Sequence, residues 1–150
     1  MEIYTTGFSG WIAKDFFTQL KDNSVALLID IRRHPNSQLA GFTRAAHFDY
    51  FLKELSNCDY KHMEELAPNP NTLKQYRNKD IEWDEFSKSY IENLDINDLK
   101  ELAVLAKKQK VILLCSETSH EKCHRSLIIQ ELLKLDTFKS GSVINLTPLE

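Results

Sequence analysis

Two continuous apolar runs dominate the hydrophobic pattern of the chain, and both predict buried strands. VALLIDIR, residues 25–32, turns polar only at Asp30, and KVILLCSE covers residues 110–117. Runs that do not alternate are typical of parallel strands covered on both faces. Shorter runs predict further strands in EIYTTG at residues 2–7, CDYKHM at 58–63 and GSVINLTPL at 141–149.

Segments with apolar residues at helical spacing lie between these strands. Residues 9–22, SGWIAKDFFTQLKD, predict a helix with Ser9 as its N-cap. Further helices are predicted in HFDYFLKEL at 47–55, EWDEFSKSYIENL at 82–94, INDLKELAVLAKKQ at 96–109 with Asn97 or Asp95 as cap, and HEKCHRSLIIQELLKL at 120–135. The aromatic line Trp83, Phe86 and Tyr90 indicates packing of its helix on the core. APNPNT, residues 67–72, predicts a break, and the polar stretch from there to Ile81 shows no clear pattern.

The alternation of strands and helices predicts an α/β fold. We expect an open, mainly parallel sheet of about five strands with helices on both faces, a Rossmann-like three-layer sandwich. Residues 1–150 suit a single domain. Ligands of such sheets bind at the carboxyl ends of the strands, so the polar residues that follow each strand are the candidates for a site.

Composition and charge narrow the functional classes. With 42% hydrophobic residues the chain can bury a core without a disulfide or metal. A net charge of −3 argues against a surface that grips nucleic acid everywhere, although a local basic patch remains open. We expect a cytoplasmic protein, because there is no membrane-length apolar run and no signal-like N-terminus, and because three cysteines are an odd number.

The stretch LLCSETSHEKCHRSL, residues 113–127, carries the densest candidate chemistry. Thr118 and Glu121 match a capping box at the start of a helix, and a later start would bring Cys123 into the first helical turn. Helix N-terminal amides favour anions and thiolates. We therefore interpret Glu117 as a general acid or base, and Cys123, ahead of Cys115, as the candidate nucleophile.

Each of these residues also has a structural interpretation. Cys115 ends an apolar strand and is as well suited to core packing, and Cys123 lies four residues before Leu127 and can pack beneath the helix. His124 shares a helix face with Ile128, where a histidine is more often a satisfied core group. Arg125 can be a solvated cation.

The segment DIRRHPNS, residues 30–37, is the second candidate. Asp30 and Arg32 can hold an anion or form an internal brace. Consecutive arginines point to opposite faces of a strand, so at most one faces the cleft, and we favour Arg32 over Arg33 because it shares the parity of Asp30. Arg44, after the loop, is a candidate second cation or a solvated helix start.

Several sharper motifs are excluded by spacing. A cysteine phosphatase needs arginine six residues after its nucleophile, where this chain has Glu121 after Cys115. Rhodanese-like carriers share the strand–cysteine–helix architecture, but their glycine-containing loop is missing. Zinc held by Cys115, Cys123 and His124, with His120 as a fourth candidate ligand, is disfavoured, because the neighbouring helix residues Cys123 and His124 diverge by about 100°. We predict no metal and no cofactor. A Cys115–Cys123 disulfide is possible by reach, although no CxxC is present.

TTGFS, LIDIRRHPNSQLAGF, YKHMEELA and LLCSETSHEKCHRSLI together resemble the bacterial and archaeal family of domain of unknown function 488. The motif of that family falls on Cys115, Glu117, Cys123, His124 and Arg125, with Asp30, Arg32, Pro35 and Ser37 in its second part. The chain departs from the resemblance after the third strand, where members commonly carry a glycine-rich stretch and it has APNPNT. The resemblance implies the fold and a site at these residues, but no reaction.

Our leading hypothesis is a small enzyme that acts on an anionic, nucleotide-like or nucleic-acid-like substrate. Arg32 and Arg125 would bind the anion, Glu117 would transfer protons, and Cys123 or Cys115 would attack. Two alternatives remain: a module that binds a nucleotide or nucleic-acid end without turnover, and a thiol redox or metal sensor.

Overall fold

A computed structural model of the protein describes residues 2–36, 38–116, 122–136, 138 and 141–148, without the side chains of residues 38 and 39. Within these ranges, five strands form one parallel sheet in the order β3-β2-β4-β1-β5. The strands are β1 Glu2–Gly7, β2 Leu27–Asp30, β3 Asp59–His62, β4 Val111–Cys115 and β5 Ser142–Asn145. The predicted open parallel α/β sheet is confirmed.

Helices cover both faces of this sheet. They are α1 Ala13–Asp22, α2 Ala45–Ser56, α3 Pro70–Arg77, α4 Trp83–Asn93, α5 Ile96–Lys108 and α6 His124–Leu133, with short 3₁₀ segments at Gln38–Thr43 and Glu64–Leu66. The helices α1 and α2 pack on one face, and α4, α5 and α6 pack on the other, with α3 against α4. None of the helices in the described ranges combines the length and apolarity that crossing a membrane requires.

The alternation of side chains along β4 explains why its sequence is apolar throughout. Val111, Leu113 and Cys115 face the core beneath α4–α6, whereas Ile112 and Leu114 face α1 and α2. All five are fully buried. Because successive residues of a strand point to opposite faces, a strand between two helical layers has no solvent side on which a polar residue would be stable.

Two helices begin later than the sequence predicts. The prediction of Ser9 as N-cap of α1 is wrong, because Gly10 adopts φ +84° and the helix starts at Ala13 after Ile12. The hydroxyl of Ser9 instead donates to the carbonyl of Ser116 at 2.9 Å. The start predicted for α6 is also wrong, since its N-cap is Cys123; residues 117–121, which hold the predicted capping box, lie outside the described ranges.

A helix also begins inside the segment that predicts a break. Asn69 caps α3, its side chain accepting hydrogen bonds from the amides of Asn71 and Thr72. Pro70 occupies the first turn, where its missing N–H costs nothing and its fixed φ suits a helix. The second proline of this segment therefore starts a helix.

In the α4–α5 connection, Asp95 is the N-cap of α5, one of the two predicted alternatives.

Candidate active site

A cavity of about 540 Å³ lies at the carboxyl ends of β2 and β4. The loop after β2, the α3–α4 pair and the start of α6 enclose it. Its lining residues are Ile31, Arg32, Arg33, His34, Pro68, Pro70, Leu73, Lys74, Tyr76, Arg77, Asn78, Trp83, Phe86, Ser116, Lys122, Cys123 and His124. We call this cavity the strand-end pocket.

Two cysteines meet beneath the strand-end pocket. Cys115 is the last residue of β4 and has no exposed surface, whereas Cys123, 3% exposed, precedes α6 and lines the pocket. The two Sγ atoms are 3.0 Å apart. The sequence left open whether these residues belong to the core or to a site. The structure places Cys115 in the core and Cys123 at the boundary between core and pocket.

His124 is held in a single orientation beside Cys123. Its Nε2 lies 3.1 Å from the carbonyl oxygen of Ile31, and because a carbonyl only accepts, Nε2 carries the proton of this hydrogen bond. The other ring nitrogen, Nδ1, lies 3.8 Å from the Cys123 Sγ. The Tyr90 ring packs against the imidazole in a T-shaped pair, with ring centroids 5.9 Å apart. The histidine is therefore both a satisfied, buried group and a partner of the thiol.

The surroundings of Cys123 favour its thiolate. Hydrogen bonding from Cys115 is the largest of the influences that lower the pKa of Cys123, to about 5. Burial opposes this effect, whereas His124 and the backbone amide of Arg125 support it. Cys58, on the opposite face of the sheet, shows what burial does without such partners, because it raises the pKa of Cys58 to about 12 with help from the charge of Asp59.

Aromatic rings form one wall of the strand-end pocket. Phe86 stacks against Tyr76 and Trp83, with ring centroids 5.2 and 5.5 Å apart. Tyr90 lies deeper and donates a hydrogen bond to the carbonyl of Leu66 at 2.7 Å. Packing of Trp83, Phe86 and Tyr90 on the core was predicted and is observed. The exposure of Trp83 and Phe86 to the strand-end pocket, and the contribution of Tyr76 to its wall, were not predicted.

The rim of the pocket is positively charged. Arg33, Lys74, Arg77 and Lys122 line it, and among the described lining residues there is no carboxylate. The guanidinium of Arg33 is anchored by the carbonyl of Pro68 at 3.0 Å and by Glu64 at 3.4 Å. A protein with a net charge of −3 thus presents a local cationic surface at the strand-end pocket.

Asp30 and Arg32 form an internal brace on the other face of β2. The guanidinium meets the carboxylate through two hydrogen bonds of 2.8 and 2.7 Å, and Thr43 accepts two more, at 2.8 and 2.7 Å. Tyr60 donates to the same carboxylate at 2.7 Å, and burial followed by this charge raises the pKa of Tyr60. Arg32 borders the pocket, but its donors point inward, so Arg33 is the better placed arginine and the preference for Arg32 is corrected.

Three of the remaining candidates lie in the described part of the chain, and none of them lines the strand-end pocket. Arg125 is 1% exposed and borders a separate cavity of about 100 Å³ with Thr5 and Asn145, because one helical step turns it about 100° from His124. The guanidinium of Arg44 donates to the carbonyl of Asn36 at 3.0 Å. Pro35 is buried, and its carbonyl accepts from the Ala45 amide at 2.8 Å.

Neither Pro35 nor Arg44 lines the strand-end pocket. Glu117 and Ser37 lie outside the described residues, so their predicted roles stay predictions. Asp30 and Arg125 do not line the pocket that holds Cys123. Strand parity turns Asp30 to the other face of β2, and helical rotation turns Arg125 away from His124.

In the described part of the chain, one group of three acidic side chains has metal-like spacing. It consists of Asp98 and Glu101 on α5 and Glu65 in the 3₁₀ segment Glu64–Leu66, and Lys61 forms an ion pair with Glu101 at 3.4 Å. This group contains neither cysteine nor histidine and lies outside the lining of the strand-end pocket.

Comparisons with known proteins give one result. Neither the curated proteins nor the solved structures include a significant match to the chain. The sequence model of one protein family matches residues 13–132, which span α1 to α6 and hence both strands that end at the pocket. The chain therefore belongs to the family described as Domain of unknown function DUF488.

Proposed function

We propose that this protein is a cysteine-dependent enzyme whose Cys123 thiolate attacks an electrophilic centre of a small, anionic, ring-bearing substrate. The observation that carries the proposal is the pairing of Cys123 with an oriented His124 in the floor of a cationic, aromatic-walled pocket. A nucleotide is the substrate class that combines a planar ring with anionic oxygens.

Three groups have the arrangement of a catalytic triad: Cys123 is the nucleophile, His124 is the base, and the carbonyl of Ile31 orients the base. The carbonyl of Ile31 fixes the imidazole with Nδ1 toward the sulfur. When the thiol loses its proton, Nδ1 is the base that the described residues place beside it. The 3.8 Å separation is of the kind found in catalytic pairs that tighten only when substrate binds. Glu117 remains our candidate for proton transfer to the leaving group, on the grounds of its sequence position alone.

The lining of the pocket supports the substrate class. The Tyr76 and Trp83 rings offer partly exposed faces on which a planar ring can stack. Lys74 and Arg77 follow on the same helix, and Lys122 stands beside Cys123, so a phosphate or carboxylate finds cations close to the thiol. The terminal nucleotide of a nucleic acid offers the same ring and anionic group, so a nucleic-acid end is a larger substrate of the same class.

The first experiment measures the rate at which iodoacetamide alkylates Cys123 between pH 4 and 9, with mass spectrometry to identify the modified residue. We expect half of the maximal rate at about pH 5, because that is where the thiolate forms. Cys58, with a pKa of about 12, serves as the internal control and stays unmodified at neutral pH. A midpoint at the ordinary thiol value of about 8.5 contradicts the proposal.

The second experiment separates an enzyme from a binding module. Protection of Cys123 from alkylation by nucleoside monophosphates, and weaker protection by the corresponding nucleosides, supports the substrate class. Mass spectrometry after incubation with reactive nucleotide esters then shows whether Cys123 acquires a covalent group that Cys123→Ser does not. Protection without any covalent adduct favours the binding module, and absence of protection contradicts the substrate class.

A further inference from the structure

We propose that Cys115 is a resolving thiol, so that the Cys115–Cys123 pair exchanges with small anionic disulfides and closes into an internal disulfide. This activity rests on the reactivity proposed for Cys123, but it adds a second reaction and a second residue to the site. The observation behind it is the contact of two sulfur atoms at 3.0 Å, one on the pocket and one behind it.

The different burial of the two cysteines assigns their order of reaction. Cys123 lines the strand-end pocket and meets the reagent first, whereas Cys115 has no exposed surface and is absent from the lining. A group attached to Cys123 extends into the pocket, so Cys115 approaches the same sulfur from the opposite side. Thiol–disulfide exchange proceeds in line, so the resolving step requires Cys115 to attack Cys123 opposite the leaving sulfur.

The backbone holds both cysteines in defined positions. Cys115 is fixed by the ladder of β4, and its carbonyl accepts the amide of Phe8 at 3.1 Å. Cys123 is the extended N-cap of α6 and carries no side-chain capping bond that the reaction must break. A disulfide bond of about 2.05 Å requires the sulfurs to approach by about 1 Å, a movement within reach of side-chain rotation.

The chemistry balances in two steps. The Cys123 thiolate attacks one sulfur of a disulfide R–S–S–R, which forms a Cys123–S–S–R bond and releases R–S⁻. The Cys115 thiol then gives its proton to the released thiolate, and its sulfur attacks Cys123, which forms the internal disulfide and releases a second R–S⁻. The protein loses two electrons, the small disulfide gains them, and an external dithiol reverses the change.

The charge of the rim selects the class of disulfide. Lys74 and Lys122 line the pocket and favour an R group that carries a carboxylate or another anion. Cys58 takes no part, because it lies in the core between the sheet and α1–α2, on the other face from Cys115.

The experiment uses the full chain with Cys58→Ser, so that only the pair is counted, and the aromatic dianion dithiobis-nitrobenzoate as the probe. We expect each molecule to release two thionitrobenzoate anions and to become two hydrogens lighter, with no adduct retained. The Cys115→Ser and Cys115→Ala forms release one anion and keep one thionitrobenzoate on Cys123. Dithiothreitol restores the starting mass in each case, and circular dichroism confirms that each variant is folded.

A second arm tests the choice of an anionic disulfide. The rate with the dianion, divided by the rate with neutral dithiodipyridine, falls severalfold in Lys74→Glu. It changes little in Lys100→Glu, an exposed α5 residue outside the pocket that gives the same change in net charge. Equal ratios in both variants overturn the assignment of anionic substrates.

A thionitrobenzoate that persists on Cys123 when Cys115 is present overturns the resolving role. If Cys123 nevertheless alkylates with a midpoint near pH 5, the proposed function stands and this inference alone fails. If Cys123 reacts with neither reagent, both fail.

Discussion

Asp30 and Arg32 carry opposite charges in a fully buried position, and their hydrogen bonds to each other, Tyr60 and Thr43 compensate for the loss of water. Removal of one partner from such a pair leaves the other charge buried without compensation, which costs far more than the pair contributes. The brace also ties the end of β2 to the 3₁₀ segment Gln38–Thr43. Its role is therefore to hold the loop that borders the pocket.

Replacement of Asp30 by Asn tests this role. We expect the free energy of unfolding to fall by about 3–5 kcal/mol in urea titrations, because the Arg32 guanidinium remains buried beside a neutral amide. Asp59→Asn is the matched control, since it breaks the exposed ion pair with Lys53 and costs no more than about 1 kcal/mol. Equal losses in the two variants would contradict the brace.

Cys123 and His124 show what single residues reveal before the structure is known. Their position near the start of the helix that follows an apolar strand predicts a place at a strand end, and both line the strand-end pocket. The choice between Arg32 and Arg33 was not predictable, because parity relates side chains to each other but does not say which face carries the pocket. The polar Asp30 indicates a site, yet its partners are internal.

At the scale of elements, α3 decides the shape of the pocket. It has no fully buried residue, and it contributes Leu73, Lys74, Tyr76 and Arg77 to the lining. A short helix with so little burial depends on its ends, and here on the two hydrogen bonds that the Asn69 side chain accepts.

The variant Asn69→Ala tests this dependence against Asp95→Ala, which removes the cap of α5 at a distance from the pocket. Each substitution is expected to cost about 1 kcal/mol of unfolding free energy. Only Asn69→Ala is expected to weaken the protection of Cys123 by nucleoside monophosphates, because it loosens the wall. Equal loss of protection in both variants would show that general destabilisation is responsible.

The strands and the long helices were predictable because their apolar patterns are regular. The helix α3 was missed because only half-buried residues such as Leu73 and Tyr76 anchor it, which leaves no continuous apolar stripe. The signal that was present is the Asn69–Pro70 pair, a favoured N-cap followed by a residue suited to the first turn. Pro70 was interpreted as a residue that breaks a helix, although proline is equally suited to the first turn of one.

At the scale of the whole molecule, the net charge and the local charge differ in sign. The chain carries −3, yet the rim of the strand-end pocket is lined by arginine and lysine. Small anions respond to the local potential within about 8–10 Å at physiological salt, and net charge matters less at that range.

The fluorescence of Trp83 can measure the electrostatic potential at the rim of the strand-end pocket, because Trp83 lines the pocket. Trp11, the other tryptophan, is buried. We expect iodide to quench Trp83 fluorescence at least about twofold more efficiently than caesium at constant ionic strength, since the rim concentrates anions. Subtraction of the Trp83→Phe signal isolates the residue. Lys74→Glu reduces the preference and Lys100→Glu does not; a caesium preference in the native protein would contradict a cationic rim.

The fold class follows from alternation along the chain, but the order of the strands does not. Apolar runs predict buried strands, and parallel crossovers follow from the helices between them, whereas the neighbours of each strand are chosen by packing across the sheet. The central positions of β2, β4 and β1 explain their burial on both faces, and β3 and β5 at the sides are only partly covered.

Those two outer strands bear on the behaviour of the protein at high concentration. Each has only four residues, and β3 carries Asp59 and Lys61 while β5 begins with Ser142 and ends with Asn145. A foreign strand that added to either side would have to align with charged or hydrated side chains over a very short ladder, which makes such pairing weak. The polar borders of the sheet thus act against amyloid-like growth and self-association through its backbone.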